Sequence, residues 1–506
     1  MDKIIVLDFG SQYNQLIVRK IRELGMYSEL LSYDTPLSVL EDPLVKGIIL
    51  SGGPKSVFND DAYHIDTNLY QLKKPILGIC YGLQLMIKDF GGKIKRTDIK
   101  EYGRQQMTLT DDSDLFKDTP MDQNVWMSHS DQLDGVPEHF DVLAQSKHVI
   151  AAVKHQQKPL FGVQFHPEVI HSDYGKTILK NFLDICQCTC DWHMDQLAKQ
   201  LIEDIRLQVK DDKVLMAISG GVDSSVAAVL IHQAIGDQLS CFFIDHGLLR
   251  KNEKEEVMER FTRDYHINVT CVDAKDLFYE RLLGVSEPEE KRKIIGKAFI
   301  DTFEKTAKSY GDYTYLGQGT LYTDLIESGT KTAHTIKSHH NVGGLPKNMS
   351  FKLIEPLNKL FKDEVRQLGI SLGINPSFVY RQPFPGPGLA IRIMGDLTPD
   401  KIRIVQETDA ILRSLIEEKG LDESIWQYFT VLTNTKTVGV KGDERSYEYL
   451  LVIRAVTSTD GMTADWVKLP NDLLAEASSR MVNEVPGINR VAYDITSKPP
   501  GTIEWE

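Results

Sequence analysis

The sequence predicts an α/β chain with that architecture built twice, followed by a smaller α+β segment. Three observations lead there. Short apolar runs alternate with helical patterns over the first 190 residues or so. The same alternation restarts near Lys213. It gives way to a different pattern after the Pro-rich run Arg381-Gln-Pro-Phe-Pro-Gly-Pro-Gly388, which suits an ordered loop and not a helix. Apolar strands interleaved with helices imply largely parallel sheets covered on both faces.

In order, Ile4–Leu7 reads as a buried strand and Gln12–Leu24 as a helix with Ile17 and Ile21 on one face. Gly47–Leu50, Pro75–Ile79 and Leu160–Phe165 are further apolar runs, with helical patterns after the second and near Lys176–Leu183. In the second block, Val214–Ser219, Leu239–Ile244, Ile267–Val272 and Tyr313–Leu316 read as strands, and Ser224–Ala234 and Val257–Tyr265 as helices. The last block reads as helix Lys401–Lys419, strands Phe429–Leu432 and Tyr447–Thr457, helix Leu473–Asn483 and strand Val491–Ile495. This divides the chain into domains at 1–190, 191–381 and 382–506, with Cys186–Asp191 as a linker and candidate hinge.

Composition narrows the function. Of 506 residues, 58 are Lys or Arg and 72 are Asp or Glu, a net charge of −14 that opposes a broad nucleic-acid footprint. Six cysteines are too few for a disulfide scaffold. Cys186-x-Cys188-x-Cys190 is spaced more tightly than a usual zinc pair, and no second pair follows. No apolar run approaches the ~20 residues of a membrane helix, so a cytoplasmic location is expected.

Two strand-to-helix junctions carry the chemistry. In Ile76-Leu-Gly-Ile-Cys80-Tyr-Gly82-Leu-Gln84, glycines flank a cysteine where an apolar strand turns into a helix. That is the form of a nucleophile elbow, and the helix N-terminus favours a thiolate. A base and an orienter for the thiol are offered by Gly162-Val-Gln-Phe-His166-Pro-Glu168, where residues two apart on a strand point the same way. His129, in Met127-Ser-His-Ser-Asp131, is the rival base. Ser51-Gly52-Gly53-Pro54 can aim backbone N–H groups at an oxyanion, with the Tyr81 N–H as second donor. Together these runs resemble the class I glutamine amidotransferases. The resemblance implies a flavodoxin-like fold for this domain and a Cys80–His166–Glu168 triad that frees ammonia from glutamine, with Gln84 and Ser128–Asp131 holding the substrate.

The second junction is Lys213-Val-Leu-Met-Ala-Ile-Ser219-Gly-Gly-Val-Asp223-Ser224-Ser225. A Gly-rich loop entering a helix is an anion site, yet it lacks the Gly-Lys-[Ser/Thr] ending of a Walker loop. It resembles the loop of the ATP pyrophosphatases, which implies a doubly wound α/β domain with ATP held by Ser219, Gly220, Gly221, Val222, Asp223, Ser224 and Ser225. By the same resemblance, Lys362 meets phosphate, and Asp223 and Asp363 hold the Mg²⁺ that accompanies ATP.

Further runs, Phe243–Arg250, Ile336–Leu345, Arg381–Leu389 and Lys498–Glu504, resemble the glutamine-hydrolysing GMP synthetase family along nearly the whole chain. That family aminates XMP to GMP through an adenylated intermediate. The resemblance implies XMP contacts from Arg250, Lys498, Ile503 and Glu504, and a lid over ATP bearing Lys337, His339 and His340. It also implies a homodimer joined through the small α+β domain, with no organic prosthetic group and no nucleic-acid or membrane partner. Thr323 stands where the family commonly has Pro, which leaves the order of that loop open. Rival readings are an amidotransferase-ligase for another acceptor, a tRNA thiolase-like enzyme and a non-catalytic nucleotide sensor.

Overall fold

The structure, a computed structural model, describes residues 1–506 apart from 113, 148, 310, 312, 330–350, 442, 459, 460 and 462. The chain forms two compact units, the first Met1–Gln196 and the second beginning at Leu197.

The first unit is built on nine strands: β1 (Lys3–Asp8), β2 (Ser28–Ser32), β3 (Val45–Leu50), β4 (Ile76–Ile79), β5 (Ile94–Leu109), β6 (Asp122–Leu133), β7 (Phe140–Ser146), β8 (Ile150–His155) and β9 (Leu160–Val163). Their order is β2-β1-β3-β4-β9-β8-β7-β5-β6. The first five are mutually parallel, in a flavodoxin-like order. Their side chains are buried almost throughout β1, β3, β4 and β9, as strands covered on both faces must be. From β9 onward every pairing is antiparallel. The sequence reading missed β2 and these four antiparallel strands. Polar residues dominate β5, so it lacks the apolar run that marks a core strand.

The second unit holds a five-stranded, fully parallel sheet of β10 (Val214–Ile218), β11 (Leu239–Asp245), β12 (Val269–Asp273), β13 (Tyr315–Gly317) and β14 (Lys352–Ile354), in the order β12-β11-β10-β13-β14. Strand order reverses between β10 and β13, the switch point beside which doubly wound sheets bind ligands. A second sheet comprises β15 (Gln427–Lys441), β16 (Glu444–Thr457), β17 (Asp465–Trp466) and β18 (Ile488–Asp494). Helices Pro399–Glu418 and Asn471–Glu484 pack on it. One continuous apolar core, running from Leu215 and Phe242 to Leu412 and Leu451, joins the two sheets.

Two expectations change. The helix expected over Val257–Tyr265 is α-helical over Glu253–Glu259 and widens to a π-turn at Arg260–Asp264. Thr323 lies in helix Tyr322–Gly329, not in a loop. Just past the expected linker, the Trp192 N–H donates to the Gly25 carbonyl at 2.8 Å, and the Trp192 ring lies 4.6 Å from that of Tyr27, so this residue packs on the first unit.

Candidate active site

β4 delivers Cys80 to the start of helix Tyr81–Asp89 with φ 50° and ψ −103°, a conformation L-residues avoid. The turn is possible because the chain packs with no Cβ at Gly78 or Gly82. A Cβ at Gly78 would lie 2.7 Å from the Leu83 nitrogen, and one at Gly82 would run into the Leu50 carbonyl. The Cys80 N–H is held by the Val163 carbonyl at 2.8 Å, which ties the elbow to β9.

His166 and Glu168 follow β9. They lie beyond its last residue, so a turn joins them and not strand periodicity, contrary to the sequence argument. The Ser172 hydroxyl donates to the His166 carbonyl at 2.6 Å and closes that turn. Glu168 Oε1 meets His166 Nδ1 at 2.7 Å, and both residues are buried. Burial opposes a charge on His166, but the Glu168 carboxylate and the Cys80 thiol outweigh it and hold the imidazole pKa well above its usual value. The Tyr13 ring stands edge-on to His166 with centroids 5.0 Å apart, a contact that no sequence signal announced.

The rival base His129 lines the same cavity, of about 470 Å³. Burial presses its pKa down to about 4, and its proximity to His166 adds to this, so its imidazole is neutral at pH 7. Glu168 is bonded to His166 and not to His129. Gly53, Tyr81 and Gln84 also line the cavity. Gln84 Nε2 donates to the Asp131 carbonyl at 2.8 Å and to Gln164 Oε1 at 3.3 Å, leaving its oxygen for a ligand. Gln164 Nε2 in turn lies 3.6 Å from Cys80 Sγ. The arrangement brings a thiol, an imidazole paired with a buried carboxylate, and the backbone of Gly53 and Tyr81 together at one cavity.

In the second unit, Ser219-Gly220-Gly221 follows β10 and opens helix Val222–Ile235. Gly220 has φ +71° and its α-carbon faces Val257, so the loop needs glycine there. Ser219 Oγ accepts from the Gly221 N–H at 3.2 Å and lies 3.0 Å from Ser224 Oγ, while Ser225 Oγ donates to the Gly221 carbonyl at 2.7 Å. The helix N-terminus behind this loop favours anions. Lys362 opens helix Lys362–Ser371 and reaches Asp223 Oδ1 at 2.6 Å; Asp363 is the next residue of that helix. Arg381 donates to the Gly220 carbonyl, and burial lowers its pKa to about 10. Lys337, His339 and His340 lie outside the described residues.

Arg250 and Glu504 belong to one buried ionic chain. Arg250 Nε is 3.6 Å from Asp409 Oδ2, Asp409 Oδ1 is 3.5 Å from Arg392 Nη1, and Arg392 Nη2 is 3.0 Å from Glu504 Oε1. Ile503 instead packs against the cluster of Phe429, Val431 and Val452. Lys498 donates to the Gly461 carbonyl at 2.7 Å. The family resemblance singled out Arg250 and Glu504 as XMP contacts; it did not single out Asp409 and Arg392 between them, because a charged residue in a helix or loop reads as solvated.

Comparison with known proteins matches residues 5–186 to the family described as glutamine amidotransferase class-I, and residues 414–505 to the GMP synthase C terminal domain. Residues 212–281 match the tRNA methyl transferase HUP domain. The chain is 56% identical over 508 residues to "GMP synthase [glutamine-hydrolyzing]" of Lactobacillus acidophilus, covering 100% of this chain and 98% of that one. It is 57% identical over 507 residues to the protein of the same name from Bacillus cytotoxicus, covering 100% and 99%. That of Oceanobacillus iheyensis is 56% identical over 505 residues, 99% of each chain. With full-length identity at this level, the chain belongs to the glutamine-hydrolysing GMP synthase family.

Proposed function

We propose that the protein is a carbon–nitrogen ligase that converts XMP to GMP with ammonia drawn from glutamine and energy from ATP. The observation that carries this reading is that one chain bears both a thiol elbow with its His–Glu pair and a phosphate loop beside a strand-order switch. In the first reaction, His166 takes the Cys80 proton and the thiolate attacks the glutamine side-chain carbonyl. The Gly53 and Tyr81 N–H groups hold the oxyanion. His166 returns the proton to the leaving nitrogen, ammonia departs, and water hydrolyses the thioester to glutamate, again with His166 as base.

In the second reaction, the Ser219–Ser225 loop cradles ATP while the 2-oxygen of XMP attacks the α-phosphorus and pyrophosphate leaves. Ammonia then adds to C2 of the adenylated XMP, a proton is lost and AMP departs. The carboxylates of Asp223 and Asp363 are the hard oxygen donors that suit Mg²⁺. The Lys362 ammonium resting on Asp223 supports a cation-binding role there. When bound with ATP, the ion offsets charge on the leaving pyrophosphate. Arg250, Lys498, Ile503 and Glu504 are proposed to contact XMP, and Lys337 and Lys362 the ATP phosphates. Exposed apolar residues Val438, Val440 and Tyr447 on β15 and β16 support a homodimer formed through this sheet. Among the described residues, no helix is long and apolar enough to cross a membrane.

The test is one reaction containing XMP, Mg-ATP and glutamine, scored for GMP, AMP and pyrophosphate. GMP is expected together with AMP and pyrophosphate in equal amounts. Cys80→Ala is expected to fail with glutamine and to work with added ammonium. Absence of GMP when XMP, ATP and ammonium are all supplied refutes the acceptor.

A further inference from the structure

Gln164 follows the last residue of β9 and is fully buried, its N–H donating to the Ala151 carbonyl at 2.8 Å. Among the described residues its side-chain amide makes hydrogen-bond contacts with Gln84 Nε2 and Cys80 Sγ. An amide can usually be turned end for end without visible consequence. Here the neighbours decide. The Asp131 carbonyl can only accept, so Gln84 must present its nitrogen to it. The second N–H of that nitrogen faces Gln164, which must answer with oxygen. The Gln164 nitrogen is then left facing the sulfur. Reversing either amide would set two acceptors or two donors against each other in a buried site.

Besides His166, which interacts with the thiol, Cys80 Sγ has a hydrogen-bond contact with the Ser128 carbonyl at 3.7 Å, an acceptor that favours only the S–H form. Once that proton has moved to His166, the Ser128 contact is lost and the Gln164 contact becomes charge-assisted. We propose that Gln164 is a catalytic residue of the glutamine site, its side-chain N–H stabilising the Cys80 thiolate without giving up its own proton. The proposal rests on the reading of Cys80 as the nucleophile. It assigns the Asp131–Gln84–Gln164 relay the task of fixing donor polarity.

A space-filling role for Gln164 would be met by methionine, which has similar bulk and no donor. The experiment follows alkylation of Cys80 by iodoacetamide in the full chain without substrates. Peptide mass spectrometry reads the rate against pH for the parent, Gln164→Met and Gln164→Glu, and thermal unfolding checks each fold. At neutral pH alkylation is expected to slow about ten-fold in Gln164→Met and further in Gln164→Glu, with both profiles displaced to higher pH. With glutamine, kcat is expected to fall more than KM rises. A reactive parent whose folded variants keep its rate and profile overturns the role of Gln164. A parent in which Cys80 alkylates no faster than the other cysteines overturns the nucleophile reading, and this proposal with it. Should Gln164→Met not fold, the near-isosteric Gln164→Glu decides on the same terms.

Discussion

Replacing Glu168 with Gln keeps the shape of the triad and removes one charge. In the parent, the buried carboxylate lies 2.7 Å from His166 Nδ1. A hydrogen bond to a charged group contributes about 1.5–3 kcal/mol. At about 1.4 kcal/mol per factor of ten, its loss is expected to slow glutamate release roughly 10- to 100-fold. Burial, which opposes the imidazolium, then faces only the thiol, so the His166 pKa falls from its raised value. The stability consequence has a definite sign. A group whose pKa is raised by folding stabilises the native state fully below its unfolded pKa, near 6.5 for His, and that contribution fades as pH rises through the folded pKa. The melting difference between parent and variant should therefore be widest in mild acid and narrow toward alkaline pH. The assay is glutamate release against pH, with ammonium-driven GMP formation as a control for the rest of the chain. A variant that stays within about three-fold of the parent, with an unchanged pH profile, would refute the orienting role.

Two other perturbations test the frame around the sites. Gly82→Ala places a methyl against the Leu50 backbone. A loss of about 1–3 kcal/mol in urea unfolding of the first unit is expected, together with loss of glutamine-dependent but not ammonium-dependent synthesis. Arg392→Met leaves Asp409 and Glu504 short of a buried partner. A cost of about 3–5 kcal/mol is expected in the unfolding of the second unit, along with a raised KM for XMP.

What was legible in the sequence followed from burial. Ile4–Leu7, Ile76–Ile79 and Val214–Ile218 are strands covered on both faces, so their side chains are nearly all apolar and stand out. β5 reads Ile-Lys-Arg-Thr-Asp-Ile-Lys-Glu-Tyr-Gly-Arg-Gln-Gln-Met-Thr-Leu and carries little such signal, since backbone pairing with β6 and β7 holds it. Cys80 and the Ser219 loop were visible because tight turns into helices require glycine. The His166–Glu168 pairing was anticipated for the wrong reason, as a turn beyond β9 makes it. Asp409 and Gln164 illustrate a different limit. A polar side chain in a sequence reads as exposed or unassigned until the fold shows what it faces. Only the three-dimensional arrangement shows one carboxylate among three arginines, Arg250, Arg392 and Arg413, or one amide aimed at a sulfur.

The backbone of Cys80 has a further consequence. At φ 50° and ψ −103° it sits where only glycine is at ease, and such a residue costs of order 1–3 kcal/mol. Cys80→Gly should therefore produce a dead glutaminase that melts at a higher temperature than the parent. The first unit would then be held below its attainable stability by the residue that makes it useful. On the proposed reading of Cys80 as the nucleophile, selection for a sturdier protein alone would tend to erase it, so that its retention is a trade of robustness for reactivity.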